Sequence, residues 1–185
     1  YGLIVKGTIA GYGIYDGVAA NGMVIGGLGG DVSIAKGISV NGAIATLTYD
    51  SSATALRLGS GASTGAIDIS GTISATGSSK ADTAARGVVI DAGASVASMT
   101  VSGNVNAVAL DTKNGTAIAI IDSSGTLSSL SNTGRITATG GKDGANIAID
   151  LRANATGVTL TQALASATAT APSIVGDIYL GSGND

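Results

Sequence analysis

The sequence predicts an all-β chain wound as a right-handed parallel β-helix, a β-solenoid of about six three-sided coils. Three observations predict it: a spaced apolar pattern that recurs six times, two-residue alternation within each copy, and a composition rich in small residues. The pattern sets two apolar residues two apart, a residue that is usually Gly two further on, and another apolar residue two beyond that. It runs through Leu3, Val5, Gly7, Ile9, then Ile38, Val40, Gly42, Ile44, then Ile67, Ile69, Gly71, Ile73, then Met99, Val101, Gly103, Val105. Two looser copies follow. Leu130, Asn132, Gly134, Ile136 carries a polar second member, and Val158, Leu160, Gln162, Leu164 replaces the Gly. Successive Gly-position residues lie 28 to 35 residues apart, the range in which a repeat is one supersecondary unit that buries its apolar face by stacking on its neighbours.

Within each unit three short runs read as strands. Runs such as "AIDISGTISA" at 66–75 and "SMTVSGNVNA" at 98–107 alternate apolar and small polar residues, the period of a strand with one buried face. A further run lies nine residues before the first member of the last four copies, at Leu58, Ile90, Ile121 and Ile149, each preceded by Leu56, Val88, Ala119 or Ile147. Three buried columns follow from this alignment. One sheet holds Leu56, Val88 and Ile147 with Leu58, Ile90, Ile121 and Ile149; the second holds Ile67, Met99, Leu130 and Val158; the third holds Ile73, Val105, Ile136 and Leu164. Gly, Ser, Asn and Asp between runs supply tight corners, and no stretch offers a capped amphipathic helix. Six coils at the usual strand spacing of about 4.8 Å make a rod roughly 29 Å tall.

The irregular segments mark one solvated corner. "ATGSSKADTAARG", "ALDTKNGTA" and "ATGGKDGAN" differ in length and carry Lys80, Lys113 and Lys142 beside Asp82, Asp111 and Asp143. An apparent insertion, "GGLGGDVSIAKG", lengthens the first full coil, and Tyr12, Tyr15 and Tyr49 gather near that end. Contacts with a partner are expected from the loops at 76–86, 108–116 and 139–145, or from the tyrosine-bearing region near 11–31, because loops on a rigid scaffold vary and reach outward.

Composition narrows the function classes. The 185 residues include 30 Gly, no His, Cys, Trp or Phe, and a net charge of −3. Nine cationic residues scattered singly make no basic surface to displace counterions from phosphates, so nucleic acid is not an expected partner. The longest apolar runs are far too short to cross a bilayer as a helix. All 12 acidic residues are Asp, and with no His, Cys or Glu the inventory removes His-based triads, Cys/His zinc sites and paired-Glu glycosidase chemistry. An Asp cluster remains as the one enzymatic option: Asp91, Asp122 and Asp150 fall at or near one repeat position and would form a short acidic ladder. The plainer reading is an Asx-turn at a strand end, favoured by Gly59 and Gly26 at the same place in other coils. No catalytic, cofactor-binding or metal-binding residue is therefore assigned, and no cofactor is expected. Asn114-Gly115-Thr116 and Asn154-Ala155-Thr156 match the N-glycosylation acceptor pattern, read here as turn residues.

The strings "SGTISATG", "NTGRITATG", "GTAIAIIDSSGTLSSLSNTG" and "APSIVGDIYLGSGND" resemble the repeats in passenger regions of bacterial autotransporters, the type V secreted proteins. The resemblance covers nearly the whole chain, most closely from Ala53 to Asp185. It implies a β-helical passenger exported through an outer-membrane barrel and displayed at the extracellular face of the cell, with a translocator that is not part of residues 1–185. On this expectation the chain is one solenoid segment of a longer surface protein, a stalk, adhesin or assembly module that meets a host or neighbouring cell, or associates with itself through open coil ends. A carbohydrate-active β-helix fragment and a self-assembling filament or surface-layer subunit are the alternatives. The final "GSGND" also resembles part of a calcium-binding Gly-rich nonapeptide, in one partial copy.

Overall fold

The computed structural model describes residues 1–185 as a β-solenoid with no helix and only parallel strand pairing. Coil one is β1 (Leu3–Val5), β2 (Thr8–Gly13) and β3 (Ala20–Ile25); coil two is β4 (Val32–Ile34) with β5 (Ile38–Val40), then β6 (Ala43–Thr48) and β7 (Ala53–Leu58). Coil three is β8 (Ala62–Ile69), β9 (Thr72–Gly77) and β10 (Ala85–Ile90), and coil four is β11 (Ser95–Val101), β12 (Asn104–Ala109) and β13 (Ala117–Asp122). Coil five comprises β14 (Ser129–Asn132), β15 (Arg135–Thr139) and β16 (Asn146–Asp150); coil six comprises β17 (Thr159–Gln162), β18 (Ser173–Val175) and β19 (Asp177–Tyr179). Like strands stack into three sheets, the first gaining β4 as a seventh member beside β8. The insertion after Ile25 is this extra strand with a Gly-rich corner before it.

The first-to-second sheet corner explains why the repeat is built on Gly. The N–H groups of Ser70 and Gly71 both donate to the Val40 carbonyl, and Thr72 N–H donates to the Gly42 carbonyl one coil earlier. The same three bonds recur at Asn41–Ala43, Ser102–Asn104 and Thr133–Arg135. A Cβ on Gly42, Gly71, Gly103 or Gly134 would lie 1.9 to 2.1 Å from the carbonyl oxygen of the Gly in the preceding coil. Only a residue without Cβ permits that approach.

The sixth coil departs at this corner. Pro172 occupies the place before Ser173 that Gly holds elsewhere, and the chain leaves as an exposed ten-residue excursion, Ala163–Pro172, before Ser173 N–H returns to the Gly134 carbonyl. The expected last copy therefore shifts. Leu160 pairs with Leu130 where Val158 was expected, and Ile174 pairs with Ile136 where Leu164 was expected; Leu164 is exposed in the excursion. Val158 is still buried, two residues before Leu160.

Inside, the first sheet stacks Leu3, Ile38, Ile67, Met99, Leu130 and Leu160, and the second stacks Ile9, Ile44, Ile73, Val105, Ile136 and Ile174. The third sheet corrects the alternation argument. Its strands bend, so that a small residue and the large one after it both face inward: Ala55 and Leu56, Ala119 and Ile120, Ala148 and Ile149 are all fully buried. In coil three the small member is Gly87, whose Cβ would meet Val105 Cγ1 at 2.9 Å. Leu56, Val88, Ile120 and Ile149 thus form the column. Ile121 and Ile147, expected in the core columns, instead stand in register with Val89 and Ile118 on the other side of the strand, where Ile147 is still buried and Ile121 is half-buried.

Asp122 stands in register with Ile90, inside the core column. Its carboxylate is 1% exposed and accepts the N–H groups of Ser124, Gly125 and Leu127 at 2.9, 3.2 and 3.0 Å. An ionised acceptor with that many donors replaces an aliphatic neighbour without leaving a buried group unpaired.

Two results check the register. Ile120→Asp is expected to cost several kcal/mol, the penalty for an unpaired buried charge, whereas Ile121→Asp changes the melting temperature little. Gly103→Ala is expected to destabilise by about 2 kcal/mol or more, because the added Cβ forces the stacked corners apart. Equal melting of the two Ile variants would overturn the inward assignment.

Candidate functional site

The second-to-third sheet corner carries the loops at 14–19, 49–52, 78–84, 110–116 and 140–145, while the third-to-first corner carries those at 26–31, 123–128 and 151–158. Two of the former, at the coil-one end, bear large apolar side chains. Tyr12 and Leu47 are register partners on the outer face of β2 and β6. Ile14, Tyr15 and Tyr49 follow in the loops, and Leu110 joins them from coil four. All six are exposed, Tyr15 at 72% and Tyr49 at 71%. Gly13, Ile14, Leu47, Thr48, Tyr49 and Leu110 line a hollow of about 330 Å³ between them. The surface is amphipathic, because each Tyr offers a ring face and a free hydroxyl.

A buried carboxylate fixes these loops. Asp50, 4% exposed, accepts the Gly17 N–H at 2.8 Å from coil one and pairs with Lys80 from coil three. Lys80 also reaches Asp16 at 2.5 Å. Three coils are tied at one point. The Asp16 carboxyl beside it, then Lys80 and the Gly17 amide, hold the Asp50 carboxyl down to about 2, against an opposing push from burial. Further along the corner Ser78, fully buried with φ +63°, donates from its hydroxyl to the Thr83 carbonyl and accepts the Thr116 N–H, joining the loops of coils three and four.

The acidic ladder does not assemble. Asp122 pairs with Ile90 and Asp150 with Ile121, so Asp91, Asp122 and Asp150 sit at three different register positions. Each has its own work. Asp91 bonds Arg57 Nε at 2.7 Å, Asp122 caps its turn, and Asp150 receives Arg152 Nε and Nη2 at 2.9 and 2.6 Å. Arg152 holds the Asp150 carboxyl below the usual carboxylate range despite its burial, and also lies 4.7 Å from the Tyr179 ring centroid. In the "GSGND" segment Asp185 accepts the Val158 N–H and Ser182 N–H donates to the Asn154 carbonyl, so this stretch stacks as the start of a further turn. Asn154 is buried and donates to the Leu127 carbonyl at 2.7 Å, which closes it to modification in the folded chain; Asn114 is exposed and bonds Asp111.

A second feature went unread in the sequence. The outer face of the third sheet holds a groove of about 370 Å³ around Arg57, Arg86, Val89 and Ile121, with Thr54, Asp91 and Ser123 at its margins. The available signal was Arg86 inside the strand run "ARGVVI", where other coils place Asn21, Thr54, Ile118 and Ile147. Treating Ile121 as core concealed the face to which it belongs.

Comparison of the chain with protein-family models, curated proteins and solved structures finds no match.

The Asp50 clamp gives a pH dependence of known sign. A depressed carboxyl contributes stability that is complete above its ordinary value of 3.8 and is lost as pH falls toward about 2. Asp50→Asn is expected to melt below the parent at pH 6, and the gap is expected to close as the melts are taken from pH 4 to pH 2.

Proposed function

We propose that this chain is a non-catalytic, extracellular structural and adhesive β-solenoid of a bacterial surface protein of the autotransporter kind, and that it makes its contact through the tyrosine corner. The observation that carries the reading is the grouping of six exposed apolar side chains at one corner, on two strand ends and the adjoining loops, with the loops of coils one to three tied by Asp50 and Lys80. Scattered exposed apolar residues need no explanation, but a contiguous group on a rigid support is the usual mark of a contact surface. The Asp residues that a catalytic reading would recruit are each committed to a backbone cap or an Arg, which supports the non-enzymatic assignment.

A self-assembling variant of the same role has its own support. Within residues 1–185 the first coil offers Leu3, Ile9 and Met23 and the last offers Leu160, Ile174 and Ile178, which belong to the same three columns. A second copy, or further coils of one polypeptide, would continue each column with an aliphatic partner and pair the outer strands.

The test replaces Tyr12, Tyr15 and Tyr49 together by Ser. Beads coated with the triple variant are expected to lose most of the attachment to epithelial and bacterial cell layers shown by the parent, with the melting temperature unchanged within a few degrees. Undiminished attachment would move the contact off this corner. Release of reducing ends from a polysaccharide by the purified chain would overturn the non-catalytic assignment.

A further inference from the structure

The groove on the third sheet is built unlike the rest of the surface. The outward positions of that sheet run Val24, Arg57, Val89, Ile121 and Asp150 in one column, and Asn21, Thr54, Arg86, Ile118 and Ile147 in the other. Arg86 interrupts the second column between Thr54 and Ile118. Arg86 is half-buried, and its guanidinium makes no hydrogen bond or ion pair with any protein acceptor, whereas Arg57 beside it is tied to Asp91 at 2.7 Å. Burial disfavours the Arg86 charge most, Arg57 adds repulsion, and Asp91 offsets only part of both. The groove therefore carries two cations against one carboxylate.

That arrangement is costly for the fold alone. A guanidinium has five N–H donors in a planar fork suited to a carboxylate, and leaving it partly desolvated beside a like charge costs stability with no return inside the chain. The adjoining floor is aliphatic, from Val89 and Ile121, and the margin supplies the Thr54 and Ser123 hydroxyls. A ligand that satisfies both parts has a carboxylate at one end and a short branched hydrocarbon at the other. A volume of about 370 Å³ is at the small-molecule end of the usual range for binding sites.

We propose that this groove binds an aliphatic carboxylate, with the carboxylate paired bidentately to Arg86, the free N–H groups of Arg57 as a second donor set, and the hydrocarbon against Val89 and Ile121. Asp91 orients Arg57 and repels a second negative charge, which selects a monoanion. The carboxylate has two sources, a free small acid or the C-terminal residue of a peptide with an aliphatic side chain, and both present the same group to the site. This site is separate from the tyrosine corner and stands whether or not that corner is adhesive.

The experiment uses the full 185-residue chain and isovalerate as probe, followed by amide chemical-shift changes. Saturable shifts centred on Arg86, Val89 and Ile121 are expected, weakened at least tenfold in Arg86→Gln and weakened by added salt. A peptide ending in Leu with a free carboxylate is expected to compete when the acid is the mimic of a peptide end, and its amidated form to be inert; competition by neither leaves the small acid as the ligand. Melting provides the second measurement. Arg86→Leu is expected to raise the melting temperature, because it removes a desolvated cation that the fold does not use. Absence of saturable shifts in the parent, equal competition by sulfate, or retained binding in Arg86→Gln would overturn the carboxylate site. A fall of several degrees in Arg86→Leu, with Arg86→Lys also destabilised, would make Arg86 structural and overturn it too.

Discussion

Everything in this molecule depends on how closely successive coils can approach at the corner between the first and second sheets. Gly42, Gly71, Gly103 and Gly134 each lie where a Cβ would fall about 2 Å from the preceding Gly carbonyl. With that approach allowed, three backbone hydrogen bonds close each of these four corners and the strands on either side enter the sheets in register. Registered strands then set like side chains above like, so Ile67 meets Met99 and Ile73 meets Val105. Packing of the apolar columns is therefore a consequence of backbone contact at the corner. Burial of those columns supplies the main stabilising free energy, at roughly 1.5–3 kcal/mol for each fully buried aliphatic side chain, and the corner decides where it is collected.

The core also admits polar residues wherever the backbone supplies partners. Asn132 continues the column of Val101 and is fully buried; it donates to Gln162 and to the Ser173 carbonyl and accepts the Gly134 N–H. Asp122 does the same beside Ile90. Both lie next to corners that depart from the repeat, at the shortened turn after β13 and at the excursion before β18. A polar side chain takes over hydrogen bonds that a regular corner would have made between backbones, which is why loss of apolar character and loss of corner regularity occur together.

These facts explain what was legible in the sequence. The Gly position, the two-residue alternation and the coil count could be read directly because they express the corner and the pleat, both local. The first two sheets followed for the same reason through Leu130 and Ile136. The third sheet was misread at Ile121 and Ile147 because its strands bend at a small residue, and a bend puts two neighbours on one face where strict alternation permits only one. Val158 and Leu164 were misplaced because Pro172 stands in a Gly position ten residues after the chain leaves the coil, and spacing counted forward from Gly134 cannot register an excursion. The clustering of Tyr12, Tyr15 and Tyr49 was visible; the addition of Leu110 from coil four and the tie from Asp50 to Lys80 depend on loops of unequal length meeting in space.

A stacked solenoid leaves little freedom inside, so departures on its outside carry information that departures in a less regular fold would not. Each outward column is sampled six times by the same backbone environment, and a residue that breaks its column is compared with neighbours in nearly identical surroundings. Asp150 breaks one column and finds Arg152 two residues away; Arg57 breaks it again and finds Asp91. Lys80 reaches along its own corner to Asp16 and Asp50. Among these charged interruptions Arg86 differs, since it has no acceptor of its own in the chain. The environment that makes Thr54 and Ile118 unremarkable at the flanking positions is the same one that makes an unpaired guanidinium expensive between them. A guanidinium with no acceptor in the chain, beside a second Arg and over the Val89 and Ile121 side chains, is an arrangement that a carboxylate from outside the chain would complete.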